Sequence, residues 1–121
     1  MAQLRNAVPV MTAVDFDTAV SFWRDVLGFD GAVHGEGFAT LHRDGVDVFV
    51  SAVQDQVIPD NTMMWLRTSD ITSLYADWSA RIAASPYKDM TRVVEIQPQP
   101  WGEEFVIVDP AGNCVHVAQT Q

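Results

Sequence analysis

Two stretches of the chain repeat apolar residues at the spacing of an α-helix. Phe16, Ala19, Val20, Trp23, Val26 and Leu27 follow Asp15 in an i, i+3, i+4, i+7 series, which predicts one helix with a continuous apolar face. Asp15 offers the side-chain oxygen that an N-cap needs, and Gly28 tolerates the left-handed backbone that ends a helix. Ile71, Leu74, Tyr75, Trp78 and Ile82 follow Asp70 in the same way. The two stretches match at a constant interval: Asp15 with Asp70, Phe16 with Ile71, Ala19 with Leu74, Val20 with Tyr75, Trp23 with Trp78, Leu27 with Ile82. This is an internal repeat. A Trp on such a stripe is explained by core packing and needs no ligand.

Around the helices the pattern is that of strands. Ala7 to Met11 predicts a strand, but Pro9 removes a backbone donor in its middle, so that strand is at an edge, bent, or split between two partners. Asp30 to Gly37 is rich in glycine without the spacing of a nucleotide loop, and reads as a short irregular strand and turn. Phe38 to Arg43 and Val46 to Val53 form a hairpin about Asp44-Gly45. Alternation puts Val46, Val48 and Val50 on one face and Asp47, Phe49 and Ser51 on the other, where an aromatic and a hydroxyl could line a cleft. Gln54 to Asn61 is polar, with turn residues Pro59, Asp60 and Asn61, and marks the internal boundary. Thr62 to Arg67 and Arg92 to Ile96 predict further strands, with Ser85 to Thr91 a surface loop before the latter. Glu103 to Val108 then pairs with a last strand through the turn Asp109 to Asn113. Each half therefore reads strand, helix, three strands, and the expectation is one α+β domain over residues 1–121, with halves of about 1–58 and 59–121. Trp101, between Pro100 and Gly102, falls on a loop or strand entry, where a large flat ring is a candidate ligand platform.

Composition adds bounds. With 121 residues, 48% hydrophobic and 19% charged, the chain suits one globular domain with a real core. No apolar run approaches the roughly 20 residues of a spanning helix, and no basic-then-apolar leader opens the sequence, so the expectation is a soluble cytoplasmic protein with no membrane partner. A net charge of −9 with seven Lys and Arg argues against a nucleic-acid partner. It suits a cationic one, although on charge alone simple solvation of the surface is the favoured reading. The single Cys114, among strand residues, reads as a small buried hydrophobe in preference to a nucleophile.

The stretches Ala7-Val8-Pro9-Val10, Val20-Ser21-Phe22-Trp23, Leu27-Gly28-Phe29, Ser51 to Val57, Pro59-Asp60-Asn61-Thr62, Gln99 to Phe105 and Asp109 to His116 together carry a resemblance over essentially the whole chain. The sequence resembles the bleomycin resistance proteins, the antibiotic-sequestering branch of the glyoxalase, bleomycin-resistance and extradiol-dioxygenase (vicinal oxygen chelate) superfamily. The Pro59 to Thr62 and Gln99 to Gly102 pieces are the ones particular to the drug-binding branch. The resemblance implies two βαβββ modules per chain and an arm-exchanged homodimer with two ligand clefts, Pro9 being the hinge of the arm. It implies capture of one bleomycin-family glycopeptide antibiotic per cleft, with a bithiazole-type tail stacked between Phe38 and Trp101. Ser51, Asp60, Asn61, Trp65, Gly112, Asn113 and Cys114 would line the rest. For Phe38 and Trp65 the residues themselves leave ligand contact and core packing equally open, as they do for Ser51 and Asp60 between ligand contact and sheet or turn satisfaction.

The rival class is a metal-dependent glyoxalase-like or dioxygenase-like enzyme, or an antibiotic-modifying transferase, of the same superfamily. His34, His42 and His116 have no spacing that defines a metal site, and the first strand offers Val8-Pro9-Val10 where such enzymes commonly place a His. His42 and His116 read as sheet residues. The expectation is a binder that is not an enzyme and has no cofactor of its own, any metal arriving already chelated by the drug.

Overall fold

The computed structural model describes residues 1–120. Strand β1 (Val10–Ala13) leads to helix α1 (Phe16–Ser21), then β2 (Asp30–His34), β3 (Phe38–Arg43) and β4 (Val46–Ala52). A short helix α2 (Val57–Asp60) opens the second half, with β5 (Met63–Arg67), α3 (Ile71–Ala83), β6 (Arg92–Gln99), β7 (Gly102–Val108) and β8 (Cys114–Thr120). The strands form two four-stranded sheets, ordered β1-β4-β3-β2 and β5-β8-β7-β6. In each the first strand runs parallel to the last and the other pairings are antiparallel, so the sequence repeat is a repeat of βαβββ modules.

The caps form as the residue types require. Asp15 Oδ1 accepts from Thr18 N at 3.1 Å and Asp70 Oδ1 accepts from Ser73 N at 3.1 Å, each carboxylate also taking the hydroxyl of the same residue. These hydrogen bonds hold both carboxyls below their ordinary range. The predicted first helix differs in one respect. Beyond Ser21 it widens into a π-turn over Phe22–Val26, closed by Leu27 N donating to Phe22 O at 3.2 Å. Phe22 lies off the apolar stripe of the regular pattern, and the wider turn brings it inward beside Trp23, so that both are fully buried. At the chain start, the strand begins at Val10, with Pro9 just outside it and its carbonyl accepting from Phe49 N. Met1 to Ala7 extend from the body, with Leu4 fully exposed.

Buried residues of both modules form one hydrophobic cluster, with Met11, Ala39, Leu41, Val48 and Val50 on the inner face of the first sheet and Met64, Phe105, Ile107, Val115 and Val117 on that of the second. Helix α1 packs on the first sheet and α3 on the second, and α3 meets the π-turn. The modules are also tied by directional bonds at the β7–β8 turn. Trp23 Nε1 donates to Asp109 Oδ2 at 3.0 Å, and Asn113 brackets Thr12, accepting from its N–H at 3.1 Å and donating to its carbonyl at 2.9 Å. Asp109 Oδ1 accepts the backbone N–H groups of Ala111, Gly112 and Asn113. Burial pushes the Asp109 carboxyl above its ordinary pKa, against the pull of Trp23, Asn113 and Gly112, whose hydrogen bonds favour the carboxylate.

Trp23→Phe keeps an aromatic in the core but leaves the carboxylate without its indole donor, and should cost about 1–3 kcal/mol in chemical denaturation. Because the folded pKa of Asp109 is raised, its contribution to stability is fully present below the unfolded value near 3.9 and is lost as pH rises through the folded value. The stability of the parent relative to Asp109→Asn should therefore fall with increasing pH across that window. Denaturation midpoints of both proteins from acid to neutral pH measure the sign.

Candidate functional site

The pleat leaves the outer face of each sheet free of helices. On the first sheet this face carries Phe38, Thr40, Phe49 and Ser51. Phe38 lies directly opposite Ser51 and Thr40 opposite Phe49, with the Phe38 and Phe49 rings edge to face at 5.4 Å. Ser51 is in turn opposite Thr12, the residue that Asn113 brackets.

The outer face of the second sheet has more polar structure. The register sets Trp65 opposite His116, and their rings stack at 4.1 Å with an interplanar angle of 14°. Trp65 Nε1 donates to Glu104 Oε1 at 2.7 Å, and Glu104 Oε2 lies 3.2 Å from His116 Nδ1. Glu104 is buried although it belongs to a strand of apolar residues. Cys114 continues the row, its Sγ 3.5 Å from His116 Nε2. The thiol is partly buried, not fully so as its strand position suggested. Its pKa is raised by burial and by the charge of Glu104, against Arg92, which keeps it protonated and a poor nucleophile.

Trp101 sits at the tip of the β6–β7 hairpin, where Gln99 pairs with Gly102. Gly102 is required there: its φ is +144°, and a Cβ would overlap the carbonyl oxygen of Gln119. The tip is thereby seated against the end of β8, so that Trp101 and Trp65 line one cavity of about 310 Å³ with Arg67, Ala118 and Thr120. Both indoles are large and about half exposed, 47% for Trp101 and 49% for Trp65, whereas Trp23 and Trp78 are buried. Such exposure leaves a stacking face available to a ligand.

The remaining predicted residues gather elsewhere. Asp60 Oδ1 accepts from Gln56 Nε2 at 2.9 Å, and Gln56 Nε2 also donates to Ala111 O at 2.7 Å. This docks α2 on the β7–β8 turn beside Gly112, where a Cβ would stand 2.6 Å from Asp60 Oδ1. Asn61 Nδ2 donates to Val57 O, closing α2, and Asn113 is buried in its bonds to Thr12 and Asp109. Within one chain, then, Trp65, Trp101 and Cys114 share the outer face of the second sheet, Asp60, Asn61, Gly112 and Asn113 share the turn region, and Phe38 and Ser51 share the first sheet. Among the described residues no group of three or more His, Cys, Asp or Glu side chains converges as a metal-ligand set, and no helix is long and apolar enough to cross a membrane.

The sequence assigned Glu104 no role and read His116 only as a sheet residue, which it is, on β8. The available signal was a carboxylate inside an apolar strand, which requires a partner. Replacing Glu104 by Leu should strand the Trp65 indole N–H, costing about 1–3 kcal/mol. Gln, which keeps an acceptor, should retain most of it. Denaturation of the two variants, with the near-ultraviolet circular dichroism of Trp65 as a local reporter, measures the difference.

No protein-family model matches the chain, and no curated protein sequence matches it. Solved structures do. The bleomycin-binding protein of bleomycin-producing Streptomyces verticillus, complexed with copper(II)-bleomycin, is 34% identical over 100% of both chains with a TM-score of 0.88. A bleomycin-binding protein complexed with bleomycin is 23% identical, covering 98% of this chain and 100% of its own, with a TM-score of 0.80. A bleomycin resistance determinant encoded on the transposon Tn5 is 23% identical, covering 98% and 99%, with a TM-score of 0.75.

Proposed function

The chain belongs to the bleomycin resistance proteins of the glyoxalase, bleomycin-resistance and extradiol-dioxygenase superfamily, and from that premise we propose that it confers antibiotic resistance by capturing bleomycin-group glycopeptide antibiotics without altering them. The observation that carries this reading is the pair of half-exposed indoles, Trp65 and Trp101, on one cavity. Trp65 is held in place from behind by His116 and from the side by Glu104, so little side-chain freedom remains to be lost when a flat ligand stacks on it. A conjugated planar tail fits between aromatic faces, and the net charge of −9 attracts the cationic ends of such a drug.

The complete cleft, in this reading, needs two copies. Phe38 and Ser51 stand on the outer face of the first sheet, away from the Trp101 cavity, so a tail stacked between Phe38 and Trp101 requires the first sheet of one copy to face the second sheet of its partner. The extended segment before Val10 supports an exchanged arm with Pro9 as its hinge, since Leu4 finds no cover in its own chain. Two equivalent clefts result in a homodimer. Asp60, Asn61, Gly112 and Asn113 set the shape of the cleft wall, with Cys114 beside His116 along its floor. The protonated Cys114 supports binding in preference to covalent chemistry. The metal is that of the drug chelate, and the site of action is the cytoplasm.

Calorimetric titration with a bleomycin-group drug, beside thermal melting, tests the stacking. Trp101→Ala should weaken binding by about 2–4 kcal/mol, roughly thirty- to a thousandfold, with the melting temperature unchanged. Trp23→Ala, a core truncation, should lose about 3–5 kcal/mol of stability instead. Equal binding by Trp101→Ala and the parent contradicts the stacking role. In sedimentation, replacing Pro9 should weaken assembly and drug protection together; a stable, protective monomer contradicts the exchanged arm.

A further inference from the structure

The two modules treat their equivalent buried Trp residues differently. Trp23 donates its Nε1–H to Asp109, whereas the indole Nε1 of Trp78, whose side chain is 2% exposed, has no hydrogen-bond partner among the described residues. The reason is the length of the turn. Where the second module has Asp109 to Asn113 between its last two strands, the first has only Asp44-Gly45, and the Asp44 side chain is 81% exposed, facing water. The first module therefore supplies no buried carboxylate to its partner Trp.

A cavity of about 540 Å³ lies at that place, between the β3–β4 turn and α3, and Trp78 and Arg43 both line it. The Arg43 guanidinium lies over the Trp78 ring, 5.7 Å from its centroid. Its Nη1 donates to Leu27 O at 2.6 Å and its Nε to Asp44 Oδ2 at 3.2 Å, leaving Nη2 without a protein partner among the described residues. Three carboxylates also border the cavity, and each has local donors: Asp44 has Arg43, Asp77 has Arg81 at 2.9 Å, and Asp70 has the N–H and hydroxyl of Ser73. Arg67 borders it with no ion-pair partner among the described residues. Phe29, Val46, Leu66 and Leu74 supply an apolar wall.

We infer that this cavity is a second ligand site, which meets the Trp65 and Trp101 cavity only at Arg67, for a small organic carboxylate with an apolar body. The ligand carboxylate takes the place that Asp109 holds in the other module, receiving the Trp78 N–H and the free edge of the Arg43 fork. A buried donor gains most from an acceptor when it has none, and a guanidinium binds a carboxylate more strongly than any neutral group. A single negative charge is accommodated by Arg43 and Arg67. A doubly charged phosphate is disfavoured by the three bordering carboxylates.

The test uses the full-length protein labelled with nitrogen-15, the Trp78 indole resonance being assigned from Trp78→Phe. Phenylacetate and its uncharged analogue phenylacetamide are the probes. Phenylacetate should shift the Trp78 indole N–H saturably, phenylacetamide should bind at least tenfold more weakly, and Arg43→Gln should weaken phenylacetate at least tenfold. The inference is overturned if phenylacetate leaves that resonance unmoved, or if the amide shifts it equally. It is also overturned if a folded Arg43→Gln binds phenylacetate like the parent. The comparison of acid and amide on the parent stands even where the variant is unstable.

Discussion

The buried carboxylate of Asp109 is the constraint on which the rest of the molecule depends. Hydrophobic burial joins the two modules but has no direction, whereas the bond from Trp23 Nε1 to Asp109 and the bracket of Asn113 on Thr12 fix how one module sits on the other. A buried carboxylate is tolerated only when its lone pairs are met, and here the turn's own backbone N–H groups meet them. The same turn starts β8 and docks α2 through Gln56 and Asp60. The positions of Cys114 and His116, and through His116 of Trp65, are thereby set from a point in the core.

From there the chain of causes reaches the outer face of the second sheet in short steps. β8 carries His116 to Trp65, and Glu104 on the neighbouring strand holds the indole N–H and the imidazole together. Gly102 lets the hairpin tip press on β8 and brings Trp101 to the same cavity. The result sets Trp65, held by Glu104 and stacked on His116, beside Trp101 on one cavity, with the Cys114 thiol of the same face kept protonated.

Much of this was legible in the residues. The stripes led by Asp15 and Asp70 predict both capped helices and the repeat, because N-caps and apolar periodicity are local signals. Asp44-Gly45 and Asp109 to Asn113 likewise announce their turns. The π-turn was not legible: it answers to the space available for Phe22 and Trp23 together, which is a tertiary quantity. The short helix α2 is hidden by Pro59, a residue more often read as a turn signal. Of the site, the exposed Trp101 could be read from its flanking Pro100 and Gly102. The Trp65, His116 and Glu104 cluster could not, because strand register between β5, β8 and β7 is decided by packing and not by any local motif.

The proposed capture without chemistry makes a quantitative demand that fold likeness alone does not. Each chain carries one cavity lined by Trp65 and Trp101, so the proposed dimer would hold two equivalent clefts. The most direct measurement is a stoichiometric titration of the purified protein with metal-free and copper-loaded bleomycin, following Trp fluorescence, with mass analysis of the drug released by denaturation. Saturation at one drug per chain, with the drug recovered unchanged in mass, is the predicted result. Failure to saturate, or recovery of an acetylated, hydrolysed or conjugated drug, would contradict it.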